Sequence, residues 1–202
     1  VWQIASEKLP SPLAYGASVP LPEGVLVIGG EDGSTATNAV FLLRYNPKNN
    51  TVEQESYPSL PEPLAYCAAV VEDGFVYVVG GKNMGHSVNS FYRLSLKNKS
   101  IWERLPDFPG ESRALHTVVV QETKEARRLF VLGGRNQTAG KKSTIPTDYL
   151  SYDLKKDVWR NEGQIEINGQ EKVLMGASSQ ATGSMHLLVY GGSDEVLFDE
   201  LE

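Results

Sequence analysis

A pair of adjacent glycines recurs four times along the 202-residue chain, at Gly29-Gly30, Gly80-Gly81, Gly133-Gly134 and Gly191-Gly192. The intervals of 51, 53 and 58 residues are the mark of a tandem-repeat architecture. Each pair closes a short β-rich run: VLVIGG, VYVVGG, LFVLGG and LLVYGG. A run of small residues lies upstream of each, AYGASVP, AYCAAVV, ALHTVVV and LMGASSQ. A third run follows the first three pairs (AVFLLRYN, SFYRLSL, DYLSYDL), and a fourth ends each full unit (NTVEQES, SIWERLP, DVWRNEG). Almost no segment carries the 3.6-residue period of a helix, and turn residues separate the runs, so the chain reads as all-β.

Four-stranded antiparallel units in tandem predict a β-propeller, with one unit per blade. The order of glycine pair, Tyr-Asp, then Trp resembles the kelch repeat, and the copy from Gly133 to Trp159 is its clearest form. The expected fold is therefore a partial kelch-type propeller forming a single unit over residues 1–202. Its blades fall at about 13–58, 63–105 and 112–167, with a partial blade at about 172–192. The opening VWQIASEKLP matches the fourth run and predicts an orphan outer strand over about 2–8. A whole ring of six blades at this period needs about 300 residues, so the chain reads as a fragment of about half a propeller. Its two open ends predict either a partial ring or self-association.

The glycine pairs fit a close backbone approach near the axis. Val52, Trp102 and Trp159 fit packing between blades. Two insertions stand out. Residues 121–128 (QETKEARR) read as a charged hairpin extension, and residues 135–147 (RNQTAGKKSTIPT) as a long basic loop at the mouth of the ring.

Composition narrows the function classes. The net charge is −6 with no long run of like charges, which argues against a nucleic-acid partner. No apolar run reaches 18 residues, so no membrane-spanning helix is expected. Cys67 is the single cysteine, and His86, His116 and His186 stand far apart without ligand-like spacing, so neither a metal site nor another cofactor is expected.

Residues 12–43, PLAYGASVPLPEGVLVIGGEDGSTATNAVFLL, resemble the final blade of bacterial N-acetylneuraminate epimerases, the sialic acid mutarotases, whose version runs GRAYG…LLIIGGE…AVTDSVL. Residues 108–134, FPGESRALHTVVV…LFVLGG, resemble an early blade of that family, FPGGPRDQAT…LYVFGG. The order is rotated, so the chain is similar to a cyclically permuted, mutarotase-like branch. The resemblance implies interconversion of the α and β anomers of free sialic acid, a small-molecule sugar acid, by acid–base ring opening without a cofactor. It also implies a periplasmic or otherwise extracytoplasmic setting. The alternative is a kelch module that binds a protein through its loops and catalyses nothing.

The resemblance also selects residues. Arg113 matches the arginine of PRDQAT and precedes an innermost strand, where a guanidinium would either receive a substrate carboxylate or make a salt bridge between blades. Tyr15 and Tyr66 hold equivalent positions in successive blades and would offer hydroxyls or stacking faces to a sugar. His116 occupies the position of Gly16 and Cys67 and would either line the channel or serve as a hydrogen-bonded structural histidine. Glu31 matches the family's GGE and is the one catalytic candidate; Arg135 and Asn136 follow the third glycine pair. Leu13 replaces the family's arginine before AYG. The family's acid–base pair, in a GE…R segment, falls beyond residue 202 in the rotated order, so the chain alone is expected to be inactive.

Overall fold

The computed structural model describes residues 7–9, 11–172 and 174–193. Within them the chain forms strands and no helix. Blade 1 comprises β1 (Ala17–Leu21), β2 (Gly24–Ile28), β3 (Val40–Asn46) and β4 (Thr51–Ser56). Blade 2 comprises β5 (Ala68–Glu72), β6 (Phe75–Asn83), β7 (His86–Ser95) and β8 (Trp102–Leu105). Blade 3 comprises β9 (Thr117–Glu122), β10 (Arg127–Leu132), β11 (Asp148–Asp153) and β12 (Val158–Gln164). A small hairpin, β13 (Glu166–Ile167) and β14 (Gln170–Glu171), leads to β15 (Met175–Thr182) and β16 (His186–Ser193), the inner half of a fourth blade. Each blade is an antiparallel meander with its strands in sequence order. The inner strands β1, β5, β9 and β15 lie against one another in turn, so the sheets fan around a common axis. This is the partial kelch-type propeller that the repeat predicts.

Local chemistry sets the turns. Asp73-Gly74 joins β5 to β6 and Met84-Gly85 joins β6 to β7, with φ of 47° and 77°, and 48° and 80°. Two successive positive φ values define the tight hairpin turn that matches strand twist. The β13–β14 hairpin uses the same device at Asn168-Gly169 (φ 54° and 74°). It is an addition to the repeat that the Asn-Gly pair alone announces.

The core lies between blades, and the two-residue side-chain period of a strand builds it. On β6, Val76 and Val78 face blade 1 while Tyr77 and Val79 face blade 3. On β10, Leu129 and Val131 join blade 2, and Phe130 and Leu132 face blade 4. Trp102 packs at the blade 1–2 interface and Trp159 against the blade 2–3 cluster. Their indole N–H groups donate to the carbonyls of Pro58 and Pro106, each at 2.8 Å. Val52, expected to do the same, is half-buried and outside these clusters. The blade that would lie on its far side is not among the described residues. The expected orphan strand falls largely on residues outside those described; Glu7 is described, and its carboxylate accepts the Val52 N–H at 3.2 Å. At the two ends of the stack, Val25 and Tyr45 of blade 1 and Leu188 and Tyr190 of blade 4 are exposed.

The glycine pairs join the blades. In the first three pairs the second glycine donates its N–H to a carbonyl of the next blade: Gly30 to Leu64 (2.8 Å), Gly81 to Arg113 (3.0 Å) and Gly134 to Leu174 (2.7 Å). The first glycine packs on the same carbonyl. A Cβ on Gly80 would stand 2.6 Å from the Arg113 oxygen, and those on Gly29 and Gly133 would overlap the Leu64 and Leu174 oxygens. Gly191 has the same left-handed conformation (φ 73°), but a Cβ there would meet nothing within 4 Å. Gly29→Ala therefore combines left-handed strain with a backbone clash and should cost about 3 kcal/mol or more. Gly191→Ala should cost only the strain, about 1 kcal/mol. Urea unfolding of the two variants checks the difference.

Candidate functional site

Every candidate residue lies at one end of the propeller, because the inner strands start there and the second strands finish there. In the first three blades the residue after the glycine pair is fixed by a two-bond bridge to the alanine that precedes its own blade's inner strand. Glu31 exchanges N–H···O bonds with Ala14 (2.8 and 2.9 Å), Lys82 with Ala65 (2.7 and 3.0 Å) and Arg135 with Ala114 (2.7 and 2.9 Å). In the fourth blade Met175 stands opposite Ser193. The next residue in each unit, Tyr15, Tyr66, Leu115 or Gly176, takes a positive φ between 54° and 66°. Their backbones form a chain of bonds from blade to blade: Tyr66 N–H to Tyr15 (2.8 Å), Leu115 to Tyr66 (3.1 Å) and Gly176 to Leu115 (2.8 Å). The repeat thus presents a row of interchangeable side chains on a fixed frame.

The structure brings Tyr15, Tyr66 and Glu31 together. The Tyr15 and Tyr66 rings stack with centroids 4.5 Å apart, and Tyr15 is 58% exposed. The Tyr66 hydroxyl donates to Glu31 Oε1 at 2.9 Å. Burial, and then the Glu31 hydrogen bond and charge, push the Tyr66 phenol well above its ordinary pKa. Tyr66 therefore keeps its proton at neutral pH and Glu31 acts as its acceptor. Beside them opens a cleft of about 390 Å³ between blades 1 and 2, lined by Glu31, Ser34, Thr35, Pro63, Lys82 and Met84 among others. Lys82 was not singled out by the sequence reading; its signal is its place after the second glycine pair, the position Glu31 holds after the first. A neighbouring cleft of about 350 Å³, lined in part by Glu62 and Arg104, sits beside a similar pair, but both of its charged groups are engaged several times over. There Glu62 is taken by Tyr92 and Asn83, and Arg104 by Asp107.

The other expected residues lie beneath the surface. Arg113 is 0% exposed. Its guanidinium pairs with Asp148 Oδ1 at 2.9 Å, reaches the Asp148 and Gly133 carbonyls, and lies over the Phe108 ring. Instead of offering its fork to a solute carboxylate, Arg113 spends it on one inside the fold, so its expected place at the pocket is corrected. Arg135 is also buried. Asn136 donates to the carbonyl and hydroxyl of Ser112. The long loop that Arg135 and Asn136 begin leans on β7, with Ser87 and Gln137 bonded to each other twice. His116, expected in the channel, is 7% exposed, packed beside Phe108, and neither ring nitrogen has a hydrogen-bond partner. Among the described residues no cluster of His, Cys, Asp or Glu is arranged to hold a metal ion.

The N-acetylneuraminate epimerase family model matches residues 57–201. The chain belongs to this family. It is 27% identical over 148 residues to the N-acetylneuraminate epimerase of Yersinia enterocolitica, an alignment covering 72% of the chain and 35% of that protein. It is 29% identical over 140 residues to the N-acetylneuraminate epimerase of Pasteurella multocida, covering 69% and 34%. The chain thus spans about a third of the length of these curated relatives. The solved structure of YjhT superposes with a TM-score of 0.66 at 21% identity, over 88% of the chain and 58% of YjhT, which shows the shared propeller fold.

His116 gives the site's foundation a pH signature. Burial, and then the Arg113 charge, lower its pKa from 6.5 to about 3. Between those values the unfolded chain binds a proton that the folded chain refuses. Stability present above pH 6.5 is therefore lost as pH falls towards about 3, at about 1.4 kcal/mol per pH unit for this one proton. In His116→Asn, the slope of unfolding free energy against pH between 6 and 4 should be shallower by that amount, measured by urea unfolding at each pH.

Proposed function

We propose that this chain forms one wall of a pocket for N-acetylneuraminate, and that the chemistry served is the exchange of that sugar acid's α and β anomers. The observation that carries the reading is the hydrogen bond from Tyr66 to Glu31, a residue lining the cleft between blades 1 and 2, in a chain of the N-acetylneuraminate epimerase family. Anomer exchange opens and recloses a hemiketal ring: a base takes the anomeric hydroxyl proton and an acid protonates the ring oxygen. Glu31 and Tyr66 are suited to holding sugar hydroxyls, since a carboxylate accepts and a phenol does both. The exposed Tyr15 ring adds an apolar face for the sugar. The acid–base pair that the family resemblance implies lies in a segment after residue 202, so this chain binds without turning over. The extracytoplasmic setting implied by the same resemblance belongs to the proposal.

Two NMR measurements test it. Saturation-transfer difference spectra with N-acetylneuraminate should show binding that Tyr66→Phe weakens. Anomer-resolved spectra of freshly dissolved α anomer should show no acceleration by the chain. Absence of saturation transfer at millimolar sugar would overturn the binding reading, and faster α-to-β conversion would overturn the inactivity.

A further inference from the structure

The cleft between blades 1 and 2 contains a cation that no other feature of the fold employs. Lys82 makes no ion pair among the described residues, and its one noted partner is the Tyr66 ring, whose centroid lies 5.9 Å from Nζ. The arginines nearest this end of the propeller are engaged elsewhere: Arg113 is fully buried on Asp148, and Arg135 is buried below the surface. The Lys82 backbone is fixed by its two bonds to Ala65, so the ammonium projects from a rigid base. It lines the same cleft as Glu31, opposite the hydroxyl-bearing turn of Ser34 and Thr35, and beside the apolar Pro63 and the exposed Met84.

We infer that Lys82 is the carboxylate anchor of this cleft and sets its preference for sugar acids over neutral sugars. The inference rests on the proposed sugar-binding reading and names the residue that gives that reading its charge selectivity. A carboxylate seated on Nζ replaces water around an ammonium already half-buried against an aromatic face, where charge-assisted hydrogen bonds are strongest. Glu31 beside it carries like charge to the ligand. It therefore penalises a carboxylate placed in the other half of the cleft and fixes the orientation, with hydroxyls towards Glu31 and the carboxylate towards Lys82.

The test compares N-acetylneuraminate with its uncharged methyl ester, binding of each being followed by chemical-shift titration of the chain. The wild type should bind the acid about ten-fold more tightly than the ester, the effect of one charge-assisted hydrogen bond. Lys82→Met should remove that preference while keeping ester binding, and Lys82→Arg should retain it. An unchanged preference in Lys82→Met overturns the inference while leaving the sugar-binding reading intact. Failure of the wild type to bind either ligand overturns that reading and the inference with it. Loss of both ligands in Lys82→Met and Lys82→Arg alike makes Lys82 a support of the cleft and not its anchor, which also overturns the inference.

Discussion

One carbonyl per blade holds the propeller together. Leu64, Arg113 and Leu174 each direct a backbone oxygen at the glycine pair of the preceding blade, and the second glycine donates to it. The interaction tolerates no side chain, because the first glycine must lie against that oxygen in a left-handed conformation. Everything at the functional end follows from it. The same bond ties the start of the next blade to the pair, and the residue after the pair bridges to Ala14, Ala65 or Ala114 at the start of its own blade. Glycine recurs at these points for contact with a neighbouring blade, and the chemistry begins one residue later.

The alternation of side chains on the middle strands carries the same logic outward. Each sheet divides its apolar residues between two neighbours, so every interface is built by two blades and belongs to neither alone. A chain of this kind gains stability one interface at a time. Among the described residues, the apolar cluster between blades 3 and 4 has Val119, Phe130 and Leu132 buried, a smaller set than that between blades 1 and 2.

The repeat, the strand order and the propeller were legible in the sequence because each depends on residues close together in the chain. Gly-Gly after a valine-rich run needs no distant partner to be read as the end of a second strand. The site was legible only in part. Glu31, Tyr15 and Tyr66 could be placed at one end from the repeat alone, and the structure brings them into contact. Arg113 could not, because its fate is decided by Asp148, 35 residues further on, which captures the guanidinium inside the blade. His116 is buried for a related reason: its ring packs beside Phe108 and against Gly80 of the preceding blade, partners distant in sequence. Lys82 follows the second glycine pair as Glu31 follows the first, and the backbone treats the two as the same position; only the contacts across the blade 1–2 cleft single it out.

That equivalence has a consequence for how such a site changes over time. The frame at Glu31, Lys82, Arg135 and Ser193 is the same bridge repeated, so the four side chains are separable from the fold that carries them. Duplication, loss or rotation of whole blades would carry these side chains along intact and place different ones side by side. The Glu31–Tyr66–Lys82 group exists because two particular blades are neighbours. A permuted relative that kept every blade but broke this adjacency would retain the propeller and lose the cleft, and joining a blade ending in glutamate to one ending in lysine would recreate it. The heritable unit of this site is the junction between two blades.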